Sequence, residues 1–99
     1  MNKPLPSQND DVIDERARSK LRWRCRRGLL ENDIFIDRFF KRFELVLTVK
    51  QAQGLSDLME LSDNDLLDLH LGRKTLEQVE PTLVSEDTSE VLKMLRATL

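Results

Sequence analysis

The sequence predicts an all-α chain, a compact single-domain bundle of five helices. Three observations carry that expectation. Leu, Glu, Asp, Lys and Arg dominate, Tyr is absent, and there are only three Gly and three Pro; this composition favours helices over strands. Apolar residues recur at helical spacing, most clearly at Ile36, Phe39, Phe40, Phe43 and Leu47. Finally, 99 residues can bury one modest core but are too few for a deep cleft between two layers.

The elements follow in order. Residues 1–14 contain Pro4, Pro6, Ser7, Gln8, Asn9, Asp10 and Asp11, have little to bury, and read as a flexible N-terminal tail before a folded domain over 15–99. A first helix is expected from about Asp14 to Arg27, with Ala17, Leu21 and Cys25 on one face and Gly28 as its stop. The second opens near Asn32 or Asp33, either of which can cap it, and carries the phenylalanine-rich stripe that should form the core spine. Thr48-Val49-Lys50-Gln51 is a capping box for a third helix bearing Ala52, Leu55, Leu58 and Met59. Gly54 inside it costs about 1 kcal/mol relative to alanine, which points to close approach of another backbone.

Ser62-Asp63-Asn64-Asp65 marks the start of a short fourth helix, with acids placed where the helix dipole favours them. Leu66, Leu67, Leu69 and Leu71 should be largely buried, and Gly72 closes the helix. Residues 75–85, broken by Pro81, form a connection with one turn near Thr75. The last helix is expected over about Glu86–Thr98, capped by Asp87 or Ser85, with Val91, Leu92, Leu95 and Leu99 as its apolar edge.

Charge is distributed unevenly. The net charge is -2, but residues 1–50 carry twelve Lys/Arg against eight Asp/Glu, and residues 51–99 carry four against ten. Arg16, Arg18, Lys20, Arg22, Arg24, Arg26 and Arg27 follow one another with no acid between them. Such a run attracts an anionic partner, and arginine in place of lysine suits bidentate recognition of carboxylate or phosphate. A single cysteine excludes an intramolecular disulfide and fits a reducing compartment. With no apolar run of membrane-spanning length and no secretory signal layout, the expected location is cytoplasmic, with no membrane insertion.

Conventional catalysis finds few materials. His70, the only histidine, sits in a leucine-rich helix and reads as structural. One His and one Cys far apart make no usual zinc site, Asp63, Asp65 and Asp68 lack the spacing of a calcium loop, and no phosphate-binding glycine motif is present. No catalytic residue, metal site or stably bound cofactor is therefore expected. Cys25, among arginines, would be a reactive thiolate if exposed, but reads better as a small apolar residue packed beneath its helix. Trp23 is equally a core filler or an exposed interface anchor.

The most informative stretch is Arg22-Trp23-Arg24-Cys25-Arg26-Arg27-Gly28-Leu29-Leu30-Glu31. Arg27-Gly28-Leu29-Leu30-Glu31 reads as R-G-x-x-E. With Trp23 and Cys25 before it, Phe39-Phe40-Lys41-Arg42-Phe43 after it, and Asp63–Asp68 further on, the chain resembles the succinate dehydrogenase FAD assembly factor family over about residues 16–96. The resemblance implies a five-helix bundle that is not an enzyme. It implies a chaperone-like factor that binds the flavoprotein subunit of succinate dehydrogenase, and in bacteria also that of fumarate reductase, and promotes covalent attachment of FAD to a histidine there. FAD would be handled on the partner. Arg27, Gly28 and Glu31 would face the flavoprotein, with Arg26 and Trp23 beside them, and the free chain would be a monomer.

An alternative class stays open at this level. The Arg16–Arg27 segment also suits a small nucleic-acid-binding or regulatory, antitoxin-like domain whose affinity falls steeply with salt. Glu31 would repel phosphate and favours a polypeptide partner instead. A third possibility is a domain that only stabilises a larger complex.

Overall fold

A computed structural model describes residues 11–26 and 28–97. The core is organised around α2 (Leu30–Phe43), the second of six helices among the described residues. Before it lies α1 (Glu15–Arg24); after it come α3 (Val49–Leu58), α4 (Asp63–His70), the single turn α5 (Leu76–Val79) and α6 (Glu86–Ala97). A short 3-10 turn, Pro81–Leu83, separates the last two. No strand occurs among the described residues. Five principal helices and one turn near Thr75 match the all-α, five-helix expectation.

Local chemistry sets most boundaries. Asp14 caps α1, its Oδ1 accepting from the Ala17 N–H at 2.8 Å. Thr48 and Gln51 form the expected reciprocal box at the start of α3, at 3.1 Å in both directions. Ser62 Oγ accepts from the Asp65 N–H and opens α4. At the other end of α4, Gly72 adopts φ 73°, the Gly72 N–H donates to Leu69 O, and the Arg73 N–H donates to Asp68 O. These two bonds are the Schellman closure, which requires a left-handed residue that glycine adopts without steric cost.

The helices pack through one apolar cluster. Ile36, Phe39 and Phe40 of α2, Leu55 and Leu58 of α3, Leu66 and Leu69 of α4, and Val91, Leu92 and Leu95 of α6 are all buried in it. The closest approach is between α3 and α6. A Cβ at Gly54 would lie 2.6 Å from the Asp87 carbonyl oxygen and 3.2 Å from the Thr88 nitrogen. Gly54 is thus present because a backbone occupies the space a side chain would need. Thr88, fully buried, donates to Leu83 O at 2.7 Å and exchanges bonds with Ser85.

Several expectations are corrected. Asp11–Ile13 does not extend the tail: the Ile13 N–H donates to Leu47 O, the Val49 N–H donates to Asp11 O, and Ile13 is buried. The short antiparallel bridge Val12–Thr48 ties this segment to the start of α3. Residues 1–10, and Leu99 of the last apolar edge, lie outside the described residues. Helix α1 ends at Arg24, three residues before Arg27, because Cys25 turns inward as its cap. Ala17 stays exposed. Helix α2 begins at Leu30, before Asn32 and Asp33, because the Asn32 amide is spent on α4 and not on its own helix. Ser85, not Asp87, caps α6 through Thr88. Leu71, beyond the end of α4, is half exposed.

Candidate protein-docking site

The bend between α1 and α2 is built from both sides. On the α1 side, the Cys25 N–H donates to Leu21 O at 3.0 Å, and both side chains are buried. The Arg26 N–H continues the turn to Trp23 O at 3.2 Å. On the α2 side, Asn32 is fully buried and its Nδ2 donates to Asp63 O at 2.9 Å, stapling the first turn of α2 to the first turn of α4. Because Asn32 faces inward, its neighbours Leu30 and Glu31 face solvent.

Glu31 is exposed in the first turn of α2, where the helix dipole favours a carboxylate. Gly28 is exposed, and a Cβ there would meet no described atom within 4 Å beyond its chain neighbours. Arg27 lies outside the described residues. Trp23 is 71% exposed, with the Arg26 guanidinium 5.2 Å from its ring centroid, within cation–π range. A bulky indole kept at the surface is costly to leave in water and is a characteristic interface anchor.

Between the two helices runs an open groove of about 610 Å³, lined among others by Trp23, Arg26, Leu30, Asp33, Ile34 and Asp37. Leu30 is 68% and Ile34 41% exposed. Leu30 and Ile34 are the functional candidates that residue-by-residue reading passed over. Their signal was present: they stand four apart and off the Ile36, Phe39, Phe40, Phe43 stripe, so they form a second apolar edge turned away from the core. The groove therefore offers apolar side chains framed by cations and carboxylates. That mixture suits a folded polypeptide surface.

The arginine run is divided by the fold. Arg22 donates to Glu44 at 3.0 Å and lies with its guanidinium 4.8 Å above Phe40. Arg24 donates to Ser56 Oγ at 2.7 Å, to Ser56 O at 3.3 Å and to the Glu60 carboxylate. Two members of the run are thus committed to carboxylates of the same molecule, which removes them from an even phosphate-tracking face.

His70 takes no part in this site. It is buried against Phe35, and neither ring nitrogen has a hydrogen-bond partner among the described residues. Burial, and secondarily the charge of Arg96, lowers its pKa from 6.5 to about 4, so it is a neutral packing residue at ordinary pH. Asp68 pairs with Arg73 at 3.0 Å and Lys74 at 3.5 Å. No group of three or more metal-ligating side chains occurs among the described residues. None of the described helices is long and apolar enough to cross a membrane.

The family model described as flavinator of succinate dehydrogenase matches residues 19–98, which takes in the bend, the groove and every helix from α2 onward. The chain belongs to this family. Named relatives agree. The FAD assembly factor SdhE of Ralstonia nicotianae is 49% identical over 84 residues, covering 85% of this chain and 85% of that protein. The FAD assembly factor SdhE of Coxiella burnetii is 36% identical over 80 residues, covering 81% and 84%. That of Legionella pneumophila is 32% identical over 73 residues, covering 74% and 92%. No solved structure matches the chain.

Proposed function

We propose that this protein is a FAD assembly factor for succinate dehydrogenase, and that it acts by docking the flavoprotein subunit on the α1–α2 bend. Family membership supports the assembly role. The observation that supports the docking face is the groove bordered by exposed Trp23, Leu30 and Ile34, with Gly28 and Glu31 exposed in the bend and first turn of α2. The fumarate reductase flavoprotein is a second candidate client, and the cytoplasm is the compartment where either would be met.

The chain's own part is positioning. Attachment of the flavin is chemistry of the cofactor and of the flavoprotein's histidine. On this reading the chain lowers the barrier by orientation. Trp23, Leu30 and Ile34 bury apolar area on the partner. Glu31 accepts hydrogen bonds from it, and Arg27, adjacent to Gly28 in sequence, pairs with carboxylate or carbonyl groups. Gly28 admits a partner backbone at close range, which any side chain would hold off. The partner is released when it closes into its assembled form.

The test is capture of the flavoprotein subunit from a native lysate, with covalent flavin fluorescence of that subunit compared in cells with the wild-type chain, with Gly28→Arg and with neither. The wild type should capture the subunit and raise its covalent flavin. Gly28→Arg should remain folded and do neither. Normal capture by Gly28→Arg would sink the docking assignment. Capture with flavin content unchanged on deletion would leave only a stabilising role.

A further inference from the structure

We infer that Arg24 is a positioning residue for partner capture: from the last turn of α1 it clamps to the C-terminal end of α3 and fixes the direction in which Trp23 faces. The inference rests on the flavoprotein-docking reading above. Within α1 only Leu21 is buried, joined by Cys25 at the cap. Four residues separate these anchors, about 6 Å along the axis. Together with Ile13, buried just before the helix and tied to Leu47, they hold α1 down but leave its last turn able to roll.

The roll is stopped by two guanidinium groups. Arg22 and Arg24 stand two apart, roughly 200° around the helix, so they leave on opposite flanks. Arg22 reaches α2, at Asp37 and at Glu44 just after its last turn. Arg24 reaches α3 at Ser56 and, just past it, Glu60. Trp23 stands between them in sequence and projects outward, so the two stays set its heading. The Arg24 and Glu60 side chains are 44% and 64% exposed. An ion pair so exposed adds little to stability. Its effect therefore falls on orientation, and that separates a positioning role from a structural one.

The chain contains one Trp and no Tyr, so its fluorescence reports Trp23 alone. The experiment compares wild type, Arg24→Met, Ser56→Ala/Glu60→Gln and the triple variant. It measures affinity for the purified flavoprotein subunit, anisotropy decay of Trp23 in the free chain, and Tm. Arg24→Met should weaken capture by up to about fivefold through lost pre-organisation, the most that an exposed clamp can supply. It should also enlarge the fast depolarisation of Trp23, and lower Tm by no more than about 4 °C. The α3 double variant should reproduce these effects although neither residue borders the groove, and the triple variant should add little more. Wild-type affinity in Arg24→Met would overturn the inference. So would losses that multiply in the triple variant, since Arg24 would then touch the partner itself. If the wild-type chain fails to bind the flavoprotein, the docking reading falls, and the clamp is judged on Trp23 alone: unchanged depolarisation in Arg24→Met overturns it.

Discussion

The Phe35 ring and the His70 imidazole lie with centroids 4.6 Å apart at an interplanar angle of 32°, joining α2 to α4 inside the core. The stack holds a titratable ring where its charged form is disfavoured. With the folded-state pKa lowered from 6.5 to about 4, the unfolded chain binds a proton that the folded chain refuses between those values. Stability is then full above about pH 6.5 and is lost as pH falls to about 4. The loss is on the order of 3 kcal/mol. His70→Leu should remove this component. Urea unfolding of both proteins from pH 7 to pH 4 should show the difference in stability growing as pH falls, in favour of the variant. A constant difference would refute the assignment.

Gly54→Ala should destabilise the protein despite better helix propensity. The propensity gain is about 1 kcal/mol, whereas forcing apart a packed backbone contact costs roughly 1–3 kcal/mol. With the Asp87 carbonyl only 2.6 Å from the new methyl, α6 must move, and the upper part of that range applies. A lower Tm and a reduced denaturation midpoint are expected.

Gly28→Ala should behave in the opposite way. A methyl at Gly28 meets open space, so unfolding free energy should stay within about 0.5 kcal/mol of wild type. Flavoprotein capture should nonetheless weaken, as the docking reading requires a bare backbone there. Calorimetry and titration of the same preparation separate the two effects.

Trp23→Ala and Leu30→Ala should each weaken capture by roughly tenfold or more, as truncation of interface anchors does. Tm should change little, because both side chains are largely in water in the free chain. A large fall in Tm without loss of capture would place Trp23 in the fold and not in the interface.

Asn32→Ala removes the amide that binds Asp63 O at 2.9 Å. The expected cost is about 1–3 kcal/mol, because the position is fully buried. Amide exchange should quicken first in the opening turns of α2 and α4, which this bond joins.

Features governed by local chemistry were readable in the sequence. The Thr48–Gln51 box, the Ser62 cap, the left-handed Gly72 and the close packing at Gly54 all depend on residues within one turn or on the absence of a side chain. The family resemblance was readable because it rests on an ordered set of short motifs, from Trp23 and Cys25 through R-G-x-x-E to Asp63–Asp68. Features governed by distant partners were not. Asn32 has the chemistry of a helix cap, but its amide is claimed by Asp63, thirty-one positions away. Val12 and Ile13 follow a run of polar residues, and it is the pairing of Ile13 with the Leu47 backbone that brings Ile13 into the core. The arginines read alike in sequence, yet Glu44 and Glu60 divide Arg22 and Arg24 from the rest. Trp23 stood undecided between core and surface until the roll of α1 set its direction.

Cys25 is 1% exposed, shut beneath the end of α1. A thiol so placed meets an alkylating reagent only when that helix lifts away. The protein thus carries a built-in clock: the rate at which Cys25 is labelled counts how often the arginine-bearing arm comes loose, with no probe attached.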